Sequence, residues 1–246
     1  MRLALVPLRT HPRDLRTNAQ NAFAVARRIH REHDALDLIV FPETTLTGYL
    51  YETKDLNRFA EPVPGRTTAR FAGLARSLES HVLFGLIEAT PEGRANTAVL
   101  LDRSGDLLLR QRKLSESSPY VRGSELVPAN LEETRLAVLT CGDLFSERAL
   151  SLLPEKLDLV LVPMARAFDG RSPDPERWLR EERAAYLEAV RNVGVTTAIV
   201  NALEEPAASE NEAPSFGGAL VAGPGGELLA ESPHGTDRPL VFDLEG

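Results

Sequence analysis

The sequence predicts an α/β protein of two similar halves, each a sheet with helices on one face, packed sheet to sheet to give four layers. Two observations predict it. Apolar runs ended by proline or glycine alternate with stretches at helical spacing, the pattern of buried parallel strands and their crossovers. A repeat then fixes the architecture: Asp37-Leu38-Ile39-Val40-Phe41-Pro42 matches Asp158-Leu159-Val160-Leu161-Val162-Pro163 at an offset of 121. The hairpin over 98–109, with Gly105-Asp106-Leu107-Leu108, matches that over 219–230, with Gly226-Glu227-Leu228-Leu229, at the same offset. Other elements do not hold that register, so insertions separate them.

The 246 residues show no linker and suit one domain over 1–246. With 43% hydrophobic and 26% charged residues the composition is that of a globular protein, and the formal charge of -8 argues against a nucleic-acid partner. One cysteine makes no internal disulfide. No apolar run approaches the roughly 20 residues that span a bilayer, and no signal peptide is evident. A cytoplasmic location without membrane contact is the expectation.

In chain order, Arg2-Leu3-Ala4-Leu5-Val6-Pro7 reads as a first strand. Residues 14–33 read as a helix with Ala19, Ala22, Phe23, Ala26 and Ile29 on its apolar face. His30 and His33 lie on adjacent turns, but Arg27, Arg28 and Arg31 crowd them and no third ligand follows, so they read as a solvated helix end rather than a metal site. The strand over 36–41 ends at Pro42 and delivers Glu43 at its tip. Residues 44–64 read as irregular, a length of loop that often walls a site. An amphipathic helix over 66–80 leads to a strand over 81–87, with His81 capping the helix end.

Strands over 95–102 and 107–112 flank the turn Ser104-Gly105-Asp106 and run into Arg110-Gln111-Arg112-Lys113, then a polar loop over 115–128. The apolar run ending in Leu139-Thr140-Cys141 reads as a buried strand, Cys141-Gly142-Asp143 as a sharp turn, and 146–153 as helix. Another buried strand over 157–163 precedes a loop through Asp169-Gly170 and Pro173-Asp174-Pro175. A helix over 176–192 and a strand over 195–201 follow, then an acidic loop over 204–214 that composition marks as mobile. Residues 216–222 and 227–230 form a hairpin around Gly223-Pro224-Gly225-Gly226, which reads as a turn because no helix follows to make a phosphate cradle. Residues 239–244 close the sheet.

Three side chains stand out at strand ends, where open α/β sheets place their ligand sites. Cys141 is the candidate nucleophile, although a free cysteine is more often a small buried hydrophobe. What raises it are partners that can activate sulfur. The offset of 121 pairs Glu43 with Met164 and Lys113 with His234, so neither charge is demanded by the repeated scaffold. A thiol of pKa ~8.5 needs a base within hydrogen-bond reach or a cation that favours thiolate. Glu43 supplies the first and Lys113 the second; a Cys–His pair with His81 or His234 as base is the alternative.

Phe41-Pro42-Glu43, Arg112-Lys113 and Cys141-Gly142-Asp143, in that order, resemble the three signature segments of the nitrilase superfamily of carbon-nitrogen hydrolases. The likeness extends to Asn18, Asn96-Thr97-Ala98-Val99, Trp178 with Ala189 and Asn192, and Ser215-Phe216-Gly217-Gly218, so it covers nearly the whole chain. The resemblance implies a four-layer αββα sandwich with a two-fold internal repeat, and Cys141 as nucleophile, Glu43 as general base and Lys113 as the cation beside them. The Gly142 N–H then joins Lys113 in stabilising the oxyanion. No metal or organic cofactor is implied. The resemblance also implies a second glutamate, for which Glu116 is the nearest candidate and Glu125 the next, and homo-oligomers paired through helices near the site.

Departures from the family pattern bear on substrate. Gly142 stands where an aromatic residue is common, which disfavours a nitrile, implies a small linear amide and leaves a roomier pocket. Phe145-Ser146-Glu147 lacks the arginine that in some amidases faces a substrate carboxylate, leaving Arg148 or Arg166 as substitutes. The sequence therefore reads as an amidase or ω-amidase-like enzyme working through a thioester. An N-carbamoyl amine substrate, acyl transfer to an amine, and a noncatalytic binding member are the other readings.

Overall fold

The computed structural model describes residues 1–33, 35–167, 175–204 and 214–245. The first half contributes β1 (Arg2–Leu5), β2 (Arg9–Thr10), α1 (Leu15–Glu32), β3 (Leu38–Val40), α2 (Thr53–Phe59), α3 (Arg66–Leu78), β4 (His81–Thr90), β5 (Gly93–Leu101) and β6 (Leu107–Arg112). The second contributes β7 (Ala129–Leu131), β8 (Thr134–Val138), a 3-10 turn (Cys141–Phe145), α4 (Glu147–Leu150) and β9 (Leu159–Met164). A late helix follows as α5 (Pro175–Arg177), a π-helical turn (Trp178–Glu182) and α6 (Arg183–Val193), then β10 (Thr197–Asn201), β11 (Leu203–Glu204), β12 (Ala219–Ala222), β13 (Leu228–Glu231) and β14 (Leu240–Asp243).

The two six-stranded sheets run β14-β1-β3-β4-β5-β6 and β13-β12-β10-β9-β8-β7. Each has three parallel strands at its centre, β1-β3-β4 in one and β8-β9-β10 in the other, flanked by antiparallel neighbours. The repeat in sequence is thus a repeat in topology. β3 corresponds to β9 and the β5–β6 hairpin to β12–β13. β14 from the end of the chain pairs with β1 and completes the first sheet.

Side-chain alternation along the central strands builds the layers. Ile39 and Phe41 face α1 and α3, packing with Ala22, Ile29, Phe71 and Leu74. Leu38 and Val40 face the other way and meet Leu136, Val138, Leu159 and Leu161 between the sheets. Val160 and Val162 turn outward onto Tyr186 and Val190 of the late helix. This is the αββα sandwich. Within the outer layer Phe71 stacks on Phe84 at 4.1 Å and meets Phe23 and Phe41 edge-on. Phe71→Ala is expected to cost about 3–5 kcal/mol, read as a lower urea midpoint; a loss below about 1 kcal/mol would contradict the packing.

Several expectations are corrected. Residues 44–64 are not wholly irregular, because α2 forms there with Leu56 and Asp55 as its buried positions. The helix expected over 146–153 is only the short α4, preceded by the 3-10 turn. His81 does not cap α3: Glu79 ends that helix in a left-handed conformation, and His81 opens β4. The loop through 168–174 and most of the acidic stretch 204–214 lie outside the described residues. Among those described, no helix is long and apolar enough to cross a membrane.

Candidate active site

Glu43, Lys113 and Cys141 converge although they come from three strand ends. Glu43 leaves β3 through Phe41-Pro42 into a tight turn in which the Thr45 hydroxyl donates to the Pro42 carbonyl at 2.6 Å and the Thr45 N–H to the Gly85 carbonyl at 2.9 Å. That turn lies directly on β4. A Cβ on Gly85 would fall 2.4 Å from the Thr44 nitrogen, so only glycine lets the Glu43–Thr44 backbone approach. Asn18 of α1, fully buried, braces the same loop by donating to the Leu46 carbonyl at 2.8 Å.

Lys113 arrives by the β5–β6 pairing, its N–H donating to the Asn96 carbonyl at 2.9 Å. Its ammonium sits 2.9 Å from Glu43 Oε1 and 3.0 Å from Glu116 Oε1, and 5.3 Å from the centre of the Tyr49 ring. Asn96 Nδ2 spans the two carboxylates, donating at 2.6 Å to Glu43 and 3.0 Å to Glu116. The Tyr49 hydroxyl donates to Glu116, 3.0 and 3.1 Å from its two oxygens. Glu43, Lys113, Glu116 and Asn96 are all buried. Of the two glutamates the sequence offers, Glu116 lies against Lys113, whereas Glu125 is exposed.

Cys141 follows β8 at φ 49°, a left-handed conformation that costs a non-glycine residue about 1–2 kcal/mol. The corner lifts the half-buried residue out of the strand and starts the 3-10 turn. The Ala165 N–H, which donates to Glu43 Oε2 at 2.8 Å, also reaches the Cys141 sulfur. Burial pushes the thiol up to about 12, with the Glu43 charge adding to the rise and Lys113 and Arg166 opposing it. Burial alone would lower the pKa of the Lys113 ammonium, but Glu43, Cys141 and Glu116 together hold it above the ordinary lysine range.

Gly142 follows the cysteine with one neighbour near the position a Cβ would take, Ser115 Oγ at 3.1 Å. Asp143, fully buried, joins the Cys141 corner to the Lys113 loop. Its carboxylate accepts from the N–H groups of Leu114 at 3.0 Å, Ser115 at 2.7 Å and Thr140 at 3.0 Å. Burial raises its pKa against those bonds. An amide can accept some of these N–H groups but not all. Asp143→Asn is therefore expected to lower kcat roughly tenfold or more, since a misplacement of about 1 Å costs up to 10²-fold. An unchanged kcat would separate Asp143 from the site.

Arg166 has its N–H and carbonyl both held by Asn201, at 2.8 and 3.0 Å, while its guanidinium lies 4.9 Å over the Phe145 ring and 3.7 Å from Glu182. Arg148 is exposed on α4. The histidines proposed as alternative bases are engaged elsewhere. His81 pairs in register with Leu38, at the opposite end of the strands from Glu43, and lies 3.8 Å from Glu132. His234 stacks on Trp178 at 3.9 Å, and burial lowers its pKa to about 3. Asn96, Tyr49, Asp143 and Ala165 were given no role by the sequence. Asn96 carried a signal, a buried amide inside an apolar strand; the Ala165 N–H carried none.

Known proteins resemble this chain in sequence and in fold. The family description "Carbon-nitrogen hydrolase" matches residues 2–244. A protein of Pseudomonas protegens described as "Hydrolase in pqqF 5'region" is 31% identical over 67% of this chain and 59% of its own length. A Bacillus cereus formamidase is 33% identical over 45% of this chain and 36% of its own length. The matched stretches thus span less than two thirds of either relative. Among solved structures, the Nesterenkonia AN1 amidase from the nitrilase superfamily superimposes with a TM-score of 0.78 over 100% of this chain and 92% of its own, at 23% identity. Matched almost from end to end by the family description, the chain belongs to the carbon-nitrogen hydrolase family.

Proposed function

We propose that the protein hydrolyses the C–N bond of a small linear amide through a thioester on Cys141. One observation carries the reading: a buried ammonium held at 2.9 and 3.0 Å between two carboxylates beside the chain's one cysteine. Burial and the Glu43 charge hold the thiol above its ordinary range, so it is protonated near neutral pH. Attack therefore requires Glu43 to take the proton as sulfur adds to the carbonyl carbon, rather than a standing ion pair.

The charge that builds on the carbonyl oxygen is stabilised by Lys113 and the Gly142 N–H. Glu43 then gives the proton to the departing nitrogen, the C–N bond breaks, and ammonia or an amine leaves a thioester. Water attacks the thioester with Glu43 as base, the acid is released, and the proton returns to sulfur. Glu116, tied to Lys113, Asn96 and Tyr49, keeps the ammonium in register.

Arg166 is the cation near Cys141 that we assign to a polar or anionic group on the substrate, with Gly142 leaving room beside the sulfur. An N-carbamoyl amine would be attacked in the same way. A homo-oligomer and a cytoplasmic location belong to the same proposal; exposed Phe145 and Leu179 near the late helix support the first, and the single cysteine is compatible with the second. The test is ammonia release from formamide, longer linear amides, ω-amides of dicarboxylic acids and N-carbamoyl amines. Turnover of at least one amide class is expected. Silence across the amides and carbamoyl amines would favour a binding protein instead.

A further inference from the structure

Glu204 belongs to the second half of the sandwich and touches no reacting atom. It is nevertheless built into the first half. β11, which carries it, pairs in parallel with β2, and its carboxylate reaches across to accept the Tyr49 N–H at 3.0 Å on Oε1. Oε2 accepts the Ser215 N–H at 3.2 Å and the Ser215 hydroxyl at 2.9 Å. The Glu204 N–H returns a bond to the Ser215 carbonyl at 3.0 Å. The side chain is buried, and all three groups aimed at it are donors, a match to a carboxylate rather than to an amide.

The approach is close. Gly48, at φ 67°, precedes Tyr49, and a Cβ there would come within 2.8 Å of Glu204 Oε1. Glycine serves both the left-handed turn and the space the carboxylate occupies. From Tyr49 the connection continues directly into the site. Its hydroxyl donates to Glu116 and its ring lies over the Lys113 ammonium. Ser215, Glu204, Tyr49, Glu116, Lys113 and Glu43 thus form one unbroken series of contacts from the second half to the proposed base.

We propose that Glu204 is a positioning residue that holds Tyr49, and through it the Glu116–Lys113 pair, in register with Glu43 and Cys141. The inference rests on the reading of those four residues as the reacting cluster. Because two halves meet at this carboxylate, the geometry of the site depends on the seam between them and not on the first half alone.

The test reads the sulfur and not the turnover. Cys141 is the chain's one thiol, so iodoacetamide alkylation followed by intact mass reports on it alone. Burial raises the thiol, and Glu43, Lys113, Arg166 and Tyr186 are the charged or titratable groups that face it. In E204Q, which keeps the volume but presents an amide to three donors, Lys113 is held less well and opposes the rise of the thiol less. Alkylation near neutral pH is expected to slow by roughly tenfold, the effect of about one unit of pKa, with the thermal midpoint within about 4 °C of wild type. In a Y49F background the further effect of E204Q should shrink, because the hydroxyl bond that transmits it is already gone.

An E204Q profile that overlays the wild type would overturn the proposal. So would equal effects of E204Q in the two backgrounds. If E204Q fails to fold, S215A, which removes one donor from the same carboxylate, should shift the profile in the same direction, and an unshifted S215A profile would overturn it. Loss of the hydrolase reading shows separately, as absent amide turnover in a wild-type protein whose Cys141 still responds to these substitutions.

Discussion

Cys141→Ala is expected to reduce amide turnover to background while leaving the fold intact. The side chain packs at the edge of the second-half core, and alanine keeps its Cβ, relieves none of the φ 49° strain and adds no bulk. Loss of a nucleophile that works as one unit with its base lowers kcat by about 10⁶. Residual rate in such a variant comes from binding and the oxyanion donors, so measurable hydrolysis at more than about 10⁻³ of the wild-type rate would place the chemistry on another group. Circular dichroism and thermal melting of the variant check that the lost rate is not lost structure.

Lys113→Met should have the second largest effect, and on two properties together. Methionine fills a similar volume but leaves Glu43 and Glu116 buried, sharing Asn96 as a donor with no cation between them. Breaking a buried charge cluster from one side costs about 3–5 kcal/mol. Removal of an oxyanion donor should separately lower kcat by about 10²–10³. A variant as stable as wild type would mean that the ammonium does not neutralise this cluster.

The fold was largely legible in the sequence because its central strands are buried on both faces and repeat. The 121-residue offset named β3 with β9 and the hairpin β5–β6 with β12–β13, and both pairs occupy matching places in the two sheets. Elements fixed by partners rather than periodicity were not legible. β7 is three residues long and exists by pairing with β8; α2 buries only Leu56 and Asp55, too few positions to print a helical stripe. His81 was misplaced because Glu79, not a glycine, turns the chain out of α3.

The site divides in the same way. Glu43, Lys113 and Cys141 could be read as candidates because Glu43 and Cys141 end apolar strands and all three lie in recognisable segments. Their supports could not, because they are backbone groups or side chains far away in sequence. The Ala165 N–H holds Glu43 across 122 positions and Glu204 holds Tyr49 across 155. Asp143 was visible as part of the corner, but nothing local announces that its carboxylate gathers the N–H groups that follow Lys113. Arg166 was legible only as a spare cation; its position is set by Asn201 on the neighbouring strand.

Trapping the thioester tests the central claim most directly. The protein is mixed with an amide it turns over, quenched in acid within the first turnovers, and weighed intact and as peptides. The account predicts a mass increase equal to the acyl group, carried by the peptide containing Cys141, removed by hydroxylamine and absent from Cys141→Ala. Turnover with Cys141 unmodified at every quench time, together with persistence of activity in Cys141→Ala, would contradict it.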